Sequence, residues 1–181
     1  LPAYVGLNRA IAYQGAVGRA RLAFCQQYAA LKKARLADLA RRLQQDIAAR
    51  GQQISCAKGC AHCCRLFVVA SLQECEAIVY HLYQHEDALR RFWRAFDAWR
   101  DGILKIEHCF KEINDLHQKI SAGEATAADR ERFDEECGIY TRADIACPFL
   151  IDGICSIYEA RPYVCAGVVA TTPPEWCDAG H

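Results

Sequence analysis

"FWRAFDAWRDGILKIEHCFKEINDLHQKI", residues 92–120, decides the fold class. Phe92, Phe96, Trp99, Ile103, Ile106, Phe110, Ile113, His117 and Ile120 recur at alternating steps of four and three. That spacing returns to one side of an α-helix at each turn and leaves charged residues on the other. It predicts one helical element over 86–121 whose apolar seam needs another helix against it. Phe92, Trp93, Phe96 and Trp99 follow helical spacing too, so they read as core rather than as a cofactor box. The seam can pack within the chain or against a second copy, which leaves a homo-oligomer through 92–120 open.

The neighbouring segments repeat the helical theme. Leu22, Cys25, Ala29, Leu36, Leu39, Leu43 and Ile47 predict an amphipathic helix over 18–50, with Gly51 as its stop. "SLQE" at 71–74 has the form of a capping box and should start a helix turning Leu72, Cys75, Ile78, Val79 and Leu82 inward. Residues 126–137 read as a helix capped by Thr126 and ended by Gly138. The last forty residues differ: Pro148, Gly153, Pro162, Gly167, Pro173 and Pro174 break them into short apolar pieces. "IDG" at 151–153 predicts a hairpin, "SIYE" at 156–159 a short capped helix, and the rest irregular chain. Little of this builds a core alone, so the cysteines are expected to pin it down. The fold class is mainly α: a helical bundle with a small irregular cysteine-rich metal-binding lobe. It forms a single domain, 1–181, with metal-binding segments at 52–67 and 145–178.

Composition narrows the function. Lys plus Arg and Asp plus Glu both total 22, a neutral balance that argues against nucleic acid as a partner. Arg90, Arg91, Arg94 and Arg100 stand among acidic neighbours at helical spacing, as on a solvated helix face. No apolar run reaches the about 18 residues that a membrane-spanning helix requires. The first twenty residues show no signal-peptide core. With a reducing compartment implied, the 12 cysteines point to metal or redox chemistry in the cytoplasm rather than to disulfides.

Cys56, Cys60, Cys63 and Cys64 follow the pattern C-x3-C-x2-C-C, and Gly59 permits the tight turn that lets their sulfurs converge. Thiolates suit zinc and iron–sulfur clusters. Structural zinc usually takes two C-x2-C knuckles, and only Cys60 and Cys63 make one here. A cubane cluster tolerates three local cysteines with a distant fourth. The second constellation, "CPFLIDGICSIYEARPYVC" at 147–165, supplies Cys147, Cys155 and Cys165, with Cys177 further on. The C-x3-C-x2-C spacing also occurs in radical S-adenosylmethionine enzymes, but those place it after the first strand of a large α/β barrel.

Together, "CAKGCAHCC", the helix start "SLQECEAI" and "CPFL…GICSIYEARPYVC" resemble the CxxCxxCC family of zinc- or iron-chelating domains, over roughly residues 52–177. An Arg often follows the family cysteine that aligns with Cys165; Ala166 stands here. One relative, the flagellin lysine methylase, looks like an iron–sulfur enzyme that uses S-adenosylmethionine. The resemblance implies Cys56, Cys60, Cys63, Cys64, Cys147, Cys155, Cys165 and Cys177 as metal ligands. Arg161 and Tyr158 fall within the second motif, where Arg161 would either donate to sulfur or brace the turn before Pro162.

These readings converge on a metal-binding protein carrying an iron–sulfur cluster, of the 4Fe–4S type. It would serve electron transfer with a redox partner or form part of an enzyme's centre. Structural zinc in an interaction module and a methylase-like enzyme are the alternatives. Cys25, Cys75, Cys109 and Cys137 fall on helices and read as buried apolar residues. His62 sits between ligands, His81 and His85 lack a third ligand, and His117 belongs to the seam. No Glu-x-x-His pair of a di-iron bundle, catalytic triad or phosphate loop stands out.

Overall fold

The computed structural model describes residues 19–177. Their main elements are α1 (Arg19–Ala49), α2 (Leu72–Gln84), α3 (Glu86–Lys105), α4 (Glu107–Ala122) and α5 (Ala127–Arg142), followed by strands β1 (Leu150–Ile151) and β2 (Ile154–Cys155) and the short helix α6 (Tyr163–Gly167). Two 3-10 turns, His62–Arg65 and Pro174–Cys177, complete the order and pack against each other. The chain is mainly helical, as the periodicity predicts. The expected start and stop of the first helix at 18 and 50 agree with α1 at its C-terminal end, and residue 18 lies outside the described residues.

The seam of residues 92–120 is real but not continuous. Ile106 leaves helical geometry at φ −120 and ψ 31, dividing the expected single element into α3 and α4. Its apolar residues still face inward. Ile103, Cys109, Ile113, Tyr140 and Ile145 form one buried cluster, joined by Phe67, Trp99, Phe110 and Phe133. α4 packs along α5, so the lower half of the seam finds its partner within the chain. Trp93 departs from the expectation: it is 59% exposed, on the flank of the seam rather than in it.

Several boundaries and faces differ from the sequence reading. α5 opens with a Thr126–Asp129 capping box and runs through Gly138 to Arg142, because Gly138 does not adopt the positive φ that would end a helix there. On α1 the buried arc is Phe24, Cys25, Tyr28 and Lys32, while Leu22 is 48% exposed. The helix rotates to stack Phe24 on Tyr28 at 5.4 Å and to bring Lys32 inward. On α2 the buried residues are Glu74, Ala77, Ile78 and Leu82, whereas Leu72 and Cys75 face solvent. Turning Glu74 inward carries Cys75 outward, so that cysteine is not a core residue; Cys25 and Cys109 are, and Cys137 is half-buried.

Residues 145–177 are anchored more firmly than their composition suggests. Leu150 pairs with Cys155 and Ile151 with Ile154 across the expected hairpin. Its two loop residues, Asp152 at φ 51 and Gly153 at φ 76, have the double positive φ of a type I′ turn. The expected "SIYE" helix is absent: residues 156–160 form successive turns closed by Tyr158 N–H to Cys155 O and Ala160 N–H to Ile157 O. The helix comes later, as α6. Ile157 is 2% exposed between Ile78 and Leu82, Tyr163 packs among Phe24, Tyr28 and Ala77, and Phe149 stacks on Phe92 at 4.9 Å. Apolar burial therefore shares the work that the sequence reading left to cysteines.

Candidate metal centre

The cysteine loop leaves α1 at Gly51 and turns at Gly59, whose φ of 99 suits glycine alone. Its return into the 3-10 turn carries Cys63 and Cys64. The second stretch is tied directly to this turn: Cys147 N–H donates to Cys64 O at 2.8 Å. Arg65 and Asp144 add an ion pair across the same junction. β2 presents Cys155 and α6 presents Cys165. Residues remote in sequence thus face one another.

Two overlapping groups of sulfur result. Cys56, Cys60, Cys63 and Cys165 line one cavity of about 660 Å³, together with Tyr158 and Arg161. Cys64, Cys147 and Cys155 join Cys63 and Cys165 in a group whose charges act on one another. Cys177 is the outlier. Its turn packs on His62–Arg65, but the residue is not among those lining the cavity.

Electrostatics shows what these thiols demand. The Cys64 thiol donates to Cys63, holding the Cys63 pKa well below the ordinary thiol value, with Arg161 and His62 helping. The same bond, then burial and the other cysteines, pushes Cys64 upward. Burial is the leading cause that raises Cys147 and Cys155, and it pushes Cys165 up to about 12 with repulsion from Cys147, Cys155 and Cys63 added. So many buried thiols cannot all ionise together in isolation. A bound cation reverses that balance and takes thiolates as ligands.

The donor set fits an inorganic centre in two further respects. Ala170 N–H donates to the Cys56 sulfur at 3.0 Å, a main-chain donor aimed at a thiolate position. Arg161 Nε is buried with no hydrogen-bond partner among the described residues. As they stand, no three Cys, His, Asp or Glu side chains among the described residues form a group that could hold a metal ion. Four of the cysteines instead line a wider cavity together with apolar and amide side chains such as Leu43, Gln44 and Val169. That space is many times the roughly 30 Å³ share of one water molecule, so it has room for more than a single ion.

Sequence reasoning missed the residues that hold the second stretch in place. Glu74 Oε1 accepts from Tyr163 N–H at 2.8 Å, and Lys32 stands 3.4 Å from the same oxygen. Lys32 also donates to Ala160 O at 2.9 Å. Both side chains are buried, at 2% and 0% exposure. Burial lowers the Lys32 pKa while Glu74 opposes the shift, and the Cys165 position feels the Lys32 charge. The signal was the four-residue step Phe24, Tyr28, Lys32, which places the lysine in an aromatic arc. Among the described residues, the histidines other than His62 stay outside this arrangement. His81 and His85 stack at 4.1 Å, with His85 Nδ1 2.8 Å from His81 O. His117 lies 6.4 Å from Phe133, between ring centroids.

No helix among the described residues is long and apolar enough to cross a membrane. No family model matches the chain, and no curated protein or solved structure does either.

Proposed function

We propose that this chain is a thiolate-ligated metal protein whose centre is an iron–sulfur cluster of the 4Fe–4S class. The observation that carries the reading is the cavity wall: Cys56, Cys60, Cys63 and Cys165 present four sulfurs from two remote stretches. Four thiolates are the ligand number of a cubane cluster. Cys64, Cys147 and Cys155 interact electrostatically with this group; Cys64 donates a hydrogen bond to Cys63, and burial raises the pKa of the other two. Cys177, on the turn that packs on His62–Arg65, does not line this cavity. A cluster of this kind supplies single-electron exchange, either to a redox partner or within an enzyme's centre.

A zinc site would draw four ligands to about 2.3 Å from one point. The spread of sulfurs around a roomy cavity supports the polynuclear reading better. Anaerobic purification with iron, zinc and acid-labile sulfide counted per chain tests it. A brown protein with iron and sulfide in equal numbers is the expected result. A colourless protein with one equivalent of zinc and no sulfide would overturn it.

A further inference from the structure

Resting on that reading, we infer that Arg161 is the positioning residue that donates to the sulfur-bound centre and raises its reduction potential. The guanidinium is held by stacking, with its central carbon 3.8 Å from the centroid of the Tyr158 ring. Both residues lie on the cavity wall beside the four cysteines. Stacking fixes the plane of the guanidinium without using its N–H donors. Nε is buried and lacks an acceptor among the described residues, and leaving a buried donor unsatisfied is costly, more so for a charged group. Such a cost persists where the missing acceptor is supplied by something bound.

The direction of that acceptor follows from charge. Arg161 shares the cavity wall with Cys56, Cys60, Cys63 and Cys165, so the groups beside its guanidinium that can carry negative charge are sulfurs. A cation beside sulfur favours the more negative, reduced form, and hydrogen bonds to the sulfurs tune potentials in the same direction. The planar fork matters as well as the charge, since Lys neither stacks nor donates in that geometry. The alternative role for Arg161, bracing carbonyls before Pro162, leaves the orphaned Nε without an account.

The test compares the wild-type chain with R161Q, R161K and Y158F, all purified anaerobically, with iron and sulfide counted before any titration. Redox titration of the loaded proteins is then followed by visible absorption. R161Q is expected to keep its iron content and helical circular dichroism while its midpoint potential falls by at least about 59 mV, a tenfold change for a one-electron couple. R161K should fall between R161Q and wild type, and it also covers the case in which R161Q does not fold. Y158F keeps an aromatic face and should titrate like wild type. Unchanged potentials in R161Q and R161K would overturn the inference and leave the cluster standing. An equal fall in Y158F would also overturn it, by showing that the potential follows the packing of the loop. Absence of iron and sulfide from the wild type would remove the cluster and, with it, this role.

Discussion

Lys32 and Glu74 place opposite charges where almost no water reaches, between α1, α2 and the chain entering α6. Glu74 is fully committed: it accepts from Lys32, from Tyr163 N–H and from Ser71 N–H at 3.1 Å. Lys32→Met strips the carboxylate of its counter-charge and should cost about 3–5 kcal/mol in urea unfolding, the range for breaking a buried pair. Glu74→Leu should in addition accelerate amide hydrogen exchange at Tyr163. An exposed pair such as Arg90–Glu86 should change stability by under about 1 kcal/mol when broken. Asp129 offers a pH test. Hydrogen bonds from the Thr126 hydroxyl and amide, with Lys119 nearby, hold its carboxyl at about 2, below the ordinary 3.8. A depressed carboxyl favours the folded state above its ordinary value and loses that contribution as protons bind. The stability difference between wild type and Asp129→Asn should therefore be full above about pH 4 and fade between pH 4 and 2, as thermal unfolding at successive pH values would show.

Among the elements, the break at Ile106 shows how periodicity conceals a boundary. Phe110 N–H still donates to Ile106 O at 3.0 Å, so the apolar register passes through the interruption unchanged and the sequence pattern carries no trace of it. Gly138 misleads in the opposite sense, since a glycine late in a helix marks a possible end without enforcing one. Two of the three expected side-chain caps were legible, Ser71 with Glu74 and Thr126 with Asp129, which close as reciprocal boxes, whereas Ser156 caps no helix. The hairpin was legible too, because Asp-Gly between apolar pairs has few other uses. An added Cβ at Gly153 meets nothing within 4 Å, so Gly153→Ala tests backbone strain alone. It should lower stability by about 1–2 kcal/mol, read by thermal unfolding. The lysine at position 32 was illegible from residue type, because a long cation on a helix ordinarily reaches solvent.

Across the whole molecule, three apolar clusters meet around the cysteine stretches, and each includes a residue from one of them: Tyr163, Phe67 and Ile157. This separates holding the lobe from holding a metal. Cys60→Ala should lose bound iron while amide protection at Ile157 and Tyr163 persists, because Glu74 and the buried side chains remain. Cys75→Ala, on the solvent face of α2, should leave iron content unchanged. Metal analysis beside hydrogen exchange on both variants checks the pair; equal iron loss would show that the thiols are wrongly assigned. The crowding of cysteines in two short stretches made the candidate site visible in sequence. What stayed hidden was main-chain and long-range in character. The Ala170 amide on Cys56 belongs to no side chain, and the orphaned Nε of Arg161 appears only once its surroundings are packed.

The bond from Ala170 to Cys56 spans 114 positions, and the Ser55 amide meets the Ala170 carbonyl alongside it. During synthesis, the early thiols therefore emerge long before the amide and the later cysteines that enclose them. A nascent chain halted before residue 147 would display bare sulfurs with no wall opposite. The four cysteines that line the cavity are therefore all present only once translation has passed residue 165.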